Sequence, residues 1–154
     1  MNTEDYVSYP IAKSLKAAGF DWPCDHYYTK EDAPEGTVWI VPTTDRENFN
    51  ADSDCPFCKT LCSAPTLAHA QKWLREVKGI AINVIAHDAS DKYREGKYHW
   101  MEVHQPNSNE NGSQWMDWFI YGKHPLFDTY EEALSDGLSQ MLELIKKVTM
   151  FASD

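Results

Sequence analysis

No part of this 154-residue chain carries the ~20 consecutive apolar residues that a membrane-spanning helix requires. Its opening, Met1-Asn2-Thr3-Glu4-Asp5, lacks the basic start and apolar stretch of a secretory leader. The cytoplasm is therefore the expected compartment, where thiols stay reduced. Positive charge is also scarce: 14 Lys and Arg stand against 24 Asp and Glu, for a net charge of −10. Such a field repels nucleic-acid phosphates and anionic lipid, so neither nucleic acid nor membrane is an expected partner. The acidic residues are spread along the chain, which reads as a solvated surface. A carboxylate-lined mimic of DNA is the sharper alternative. Missing too are a P-loop, a dinucleotide fingerprint, a nucleophile elbow and an H-E-x-x-H pair. No catalytic residue can be named, and the balance leans away from an enzyme.

Core material is not lacking. Hydrophobic residues make up 42% and aromatics 13%, which excludes global disorder. The length suits one domain, and a single α+β domain over residues 1–154 is expected. Helical spacing of Ile11, Leu15 and Ala18 predicts a helix over 8–18, with Ser8 as its cap and Gly19 as its end. Strands are expected at 26–29 and 37–41, and a long loop at 42–54. Leu67, Ala70, Trp73, Leu74 and Val77 line one face of a helix over 65–78. Strands follow at 80–87, 97–104 and 115–121, the first alternating through Ile80, Ile82, Val84 and Ala86. Thr129 and Glu132 form a capping box that opens a last helix, whose apolar face runs from Tyr130 to Val148. The predicted order is αββαβββα, an antiparallel sheet with helices packed mainly on one face.

Several segments together resemble a family of small uncharacterised proteins of gut Bacteroidetes and their phages and prophages. They are Ala18-Gly19-Phe20-Asp21 with Pro23-Cys24 and Tyr27-Tyr28, then Ala64-Pro65-Thr66 leading into Gln71-Lys72-Trp73-Leu74-Arg75-Glu76 and Gly79-Ile80. Phe127-Asp128-Thr129-Tyr130-Glu131-Glu132-Ala133-Leu134, with Gly137-Leu138, completes the set. The resemblance implies an intracellular bacterial or phage protein and carries no activity. Cys55-Pro56-Phe57-Cys58-Lys59-Thr60-Leu61-Cys62 stands outside that pattern.

This cysteine run is the sharpest chemical signal. Cys55 and Cys58 are spaced to present two thiolates to one Zn²⁺. Cys62 follows four residues on, and Cys24 could complete the set, with His26 or His69 as alternative ligands. A redox reading is weaker. The acidic residues before Cys55 raise its thiol pKa, and the next helix starts too far on to stabilise a thiolate. His99 and His104 fall on opposite faces of one strand and cannot share a metal without a bulge, whereas Glu102 and His104 share a face, as an acid–base pair would, although a surface ion pair is the favoured reading. Aromatics such as Trp39, Trp100 and Trp118 fall on strands. They could stack single-stranded nucleic acid, but no basic groove accompanies them. The leading expectation is a non-enzymatic phage- or prophage-associated accessory domain that acts on an unknown protein partner. The alternatives are a structural zinc protein using Cys24, Cys55, Cys58 and Cys62, and a nucleic-acid-directed protein.

Overall fold

In the computed structural model, residues 5–51, 59–88, 90, 96–104 and 125–152 are described. Their elements run α1 (Tyr9–Ala17), β1 (Cys24–Thr29), β2 (Trp39–Glu47), β3 (Thr60–Ser63), α2 (Leu67–Lys78), β4 (Ile80–Ala86), β5 (Tyr98–His104) and α3 (Tyr130–Ala152). The fold is mixed α+β, with antiparallel strands and helices packed against them. The order differs from expectation. Strand β3 occupies residues read as part of the cysteine run, and β2 continues through Pro42 into the expected loop. The expected strand at 115–121 lies outside the described residues. The described strands form two sheets rather than one, ordered β2-β1-β3 and β4-β5. Two compact units result: Met1–Ala70 with Leu142–Asp154, and Gln71–Met141.

In the first unit, Pro10 falls in the first turn of α1, where its missing N–H leaves no helical bond unmade. Ser8 has the extended backbone of a cap, but its side chain makes no capping bond. Gly19, at φ +92°, turns the chain so that the Phe20 N–H reaches the Leu15 carbonyl at 2.9 Å. Phe20 is thereby buried, with Val7, Ile11, Leu15, Leu67 and Ala70 also in the core.

Strand β1 is central because both its edges are taken. Tyr27 pairs with Val41 of β2 and Tyr28 with Cys62 of β3. The Tyr28 hydroxyl donates to the Val7 carbonyl at 2.7 Å. The Ala64 N–H donates to the His26 carbonyl at 3.0 Å, so His26 turns its backbone polar groups toward β3. Pro42, opposite His26, is therefore in a pair that exchanges no ladder bonds, and its nitrogen points away from β1. That is why a proline can sit inside this strand.

In the second unit, β4 and β5 pair in unbroken register from Ile80↔His104 to Ala86↔Tyr98. Ile80, Ile82 and Trp100 are buried on one face, and Glu102, opposite Ile82, is buried there too. Phe127 extends the pairing by an exchange of backbone bonds with Tyr98 at 2.8 and 2.9 Å. The α3 cap is close to expectation. The Glu132 N–H donates to Thr129 Oγ1 at 3.1 Å, while the Glu132 carboxylate reaches back to the Asp128 N–H at 3.3 Å. One turn on, Asp136 accepts from Trp100 Nε1 at 2.8 Å. Gly137 then brings the α3 backbone onto the sheet. A Cβ there would lie 2.9 Å from Ile82 Cγ2 and 3.1 Å from the Trp100 ring. Among the described residues, no helix is long and apolar enough to cross a membrane.

Candidate cysteine site and an exposed helix end

Cys55 and Cys58 lie outside the described residues, whereas Cys24 and Cys62 are buried free thiols. Cys62 pairs with Tyr28, four residues along β1 from Cys24, a stretch of ~13 Å in extended chain. Their surroundings also differ. The Cys24 thiol donates to the Trp22 carbonyl at 3.6 Å and bonds the Ser63 side chain. Cys62 precedes Ser63 in β3, so its side chain takes the other face, near Tyr9, Tyr28, Lys13 and Lys16. The structure does not bring these two thiols together.

Burial pushes the Cys24 thiol up to about 12, with nearby Asp25 adding to the rise, while Ser63 and Arg46 pull the other way. Burial likewise raises Cys62 to about 11 against the pull of Lys16 and Lys13. Both are protonated at neutral pH. A thiol must lose that proton to act as a ligand or nucleophile.

The alternative ligands have partners of their own. His26 is buried, with Nδ1 2.9 Å from the Asp25 carboxylate and its ring 4.3 Å from that of Tyr6, centre to centre. His69 sits between the rings of Phe20 and Trp22, at 5.9 and 5.3 Å. The His69 backbone N–H donates to Thr66 Oγ1, which makes Thr66 the cap of α2 and leaves Pro65 before the helix. Among the described residues, no group of three or more His, Cys, Asp or Glu is placed to hold a metal.

The segment after β2 is tied down by one side chain. Asn50 donates from Nδ2 to the Phe20 carbonyl at 2.8 Å and accepts the Ser63 N–H at 2.9 Å. Ser63 in turn accepts the Phe49 N–H at 3.1 Å. Asn50 thus joins the end of α1 to β3 through backbone groups that no ladder satisfies. Asn50→Ala is expected to lower stability by about 2 kcal/mol in urea unfolding. A change below about 0.5 kcal/mol would mean that water replaces both bonds.

The last turns of α3 depart most from the expected burial. Of the apolar face read from Tyr130 to Val148, Ala133, Leu134, Gly137, Leu138 and Met141 are buried, but Tyr130 is 42% exposed and Val148 60%. Leu144, Val148 and Phe151 follow one another at spacings of four and three, a single line on the helix surface. Phe151 is 80% exposed, and Met150 beside it 64%. Lys147 lies three residues after Leu144 and four before Phe151, so it borders that line. The spacing was available in the sequence. Its exposure was not, because the same intervals also describe a buried face. In comparisons with family models, curated proteins and solved structures, the chain finds no match.

Proposed function

We propose that this chain is a non-enzymatic accessory protein that works through protein contacts, and that the end of α3 is its docking segment. The supporting observation is the exposed line of Leu144, Val148 and Phe151. Burying a side chain of this size contributes about 1.5–3 kcal/mol, so three on one helix can anchor an interface. The favoured partner is a protein with an apolar groove that accepts one helix face. Lys147 borders the line in a chain of net charge −10, so the complementary groove carries carboxylates on its rim. A phage or prophage setting in Bacteroidetes is part of the proposal and is supported by the sequence resemblance.

The test compares proteins retained by the wild type with those retained by Val148→Asp/Phe151→Asp. Asn83→Asp, at an exposed position of β4, serves as the control. A specific partner should be kept by the wild type and the control, lost by the double variant, and released as salt rises. The variants should share one circular dichroism spectrum. Equal retention by all three, or turnover by the purified protein across a broad substrate panel, would overturn the proposal.

A further inference from the structure

We infer that His87 and His99 form a two-imidazole site for one divalent transition-metal ion on the open face of the β4–β5 hairpin. His99 pairs with Ile85, and His87 lies two residues beyond Ile85, so the two histidines are diagonal neighbours on one face. This face is opposite the one that carries Ile82 and Trp100 to α3. Its other members include exposed Asn83 and Ile85 and part-exposed Met101.

His87 Nε2 stands 2.5 Å from His99 Nδ1, with the ring centres 4.6 Å apart and the planes 28° from parallel. The nitrogens are much closer than the centres, so the rings meet edge to edge at their nitrogens. The backbone holds this arrangement. The His87 N–H donates to the Lys97 carbonyl at 2.9 Å, and the Gly96 N–H donates to the His87 carbonyl at 3.1 Å.

Two neutral imidazoles in this contact share one N–H, one ring donating and the other accepting. Moving that proton to the far nitrogen of its own ring leaves two facing lone pairs, with no change of charge. A metal held at ~2.0–2.1 Å from each nitrogen in tetrahedral geometry needs them ~3.3 Å apart. The rings reach that separation by swinging apart slightly about their side-chain bonds, which their part-exposed position allows. Imidazole selects Zn²⁺, Ni²⁺ or Cu²⁺ over Mg²⁺ or Ca²⁺. The adjacent Asp88 carboxylate is bonded by the Ser90 N–H at 2.9 Å and by the Ser90 hydroxyl. Among the described residues no third His, Cys, Asp or Glu joins the pair, so water would fill the remaining positions, which makes the site an open one.

The test is a Zn²⁺ titration of the full chain, followed by calorimetry and by imidazole-nitrogen NMR. Zinc should shift the ring nitrogens of His87 and His99 together. His87→Ala and His99→Ala should each weaken that binding roughly tenfold or more, because each loses the tethered second ligand. Circular dichroism of each variant confirms that it is folded. Zinc shifts confined to other histidines or to cysteines, or His99→Ala binding as tightly as wild type, would overturn the inference. The NMR readout also separates this site from any metal taken up by the cysteine run.

Discussion

Gly137→Leu is expected to destabilise the protein by about 3 kcal/mol or more, at the upper end of what overpacking a core does. The reason is the approach of α3 to β4 and β5. The first carbon added at Gly137 already meets Ile82 Cγ2 at 2.9 Å and the Trp100 ring at 3.1 Å. Neither neighbour is the loose end of a flexible chain. Ile82 is β-branched and 1% exposed, and Trp100 is held by Asp136. Gly137→Ala should do much less harm, since alanine restores ~1 kcal/mol of helix propensity against the same first contact. The cause can be isolated with Ile82→Ala. That change alone should cost about 2–5 kcal/mol. Combined with Gly137→Ala, it should lose less than the sum of the two, because the clash is then gone. Urea unfolding of the four proteins measures this. Strict additivity would show that Gly137 serves no close approach.

Stability should fall steeply above pH 9, by about 4–5 kcal/mol between pH 8 and pH 11. The cause is the pair of buried thiols. Unfolded, each titrates near its ordinary 9.0, whereas the folded chain holds the Cys62 proton to about 11 and the Cys24 proton to about 12. Between those values the unfolded state binds fewer protons, so rising pH favours it. The contribution is fully present below pH 9 and is gone once pH passes the folded values. Cys24→Ala/Cys62→Ala should lower the baseline slightly and remove most of the slope. A remainder should persist above pH 10, because burial also raises Tyr28, Tyr9 and Tyr6. Stability measured by denaturant at successive pH values decides the point. An unchanged slope in the double variant would place the alkaline sensitivity elsewhere.

The two cases mark what the sequence could convey. The helix carrying Trp73 and Leu74, the alternation from Ile80 to Ala86 and the Thr129 cap are local patterns, and each is found near its expected place. Gly137 was legible as a member of an apolar face, but the ring and methyl group it meets belong to strands some 37 and 55 residues earlier. Strand β3 was hidden because Leu61-Cys62-Ser63 is short and its strand character comes from pairing with Tyr27 and Tyr28. Pro42 suggested a break, yet the β1–β2 register turns its nitrogen outward. The candidate sites divide the same way. Cys24 was offered as a distant fourth member of the cysteine set, and only strand register shows that Cys62 stands opposite Tyr28, four positions along β1 from Cys24. His87 and His99 stand twelve positions apart in the chain with no local pattern to join them, and the hairpin closes that distance.

Pro42 has one more consequence. Among the described residues, β2 is an outer strand of nine residues in the sheet ordered β2-β1-β3, and the side turned away from β1 offers backbone groups to any extended chain that approaches. A strand adding there would find no donor at Pro42, in the middle of the ladder it must build. The interruption is placed on the side turned away from β1. The protein thus keeps a long strand for its own sheet while denying a continuous template to a second molecule. Pro42→Val should leave the β1 pairing intact and make the chain more prone to edge-to-edge association and fibre growth.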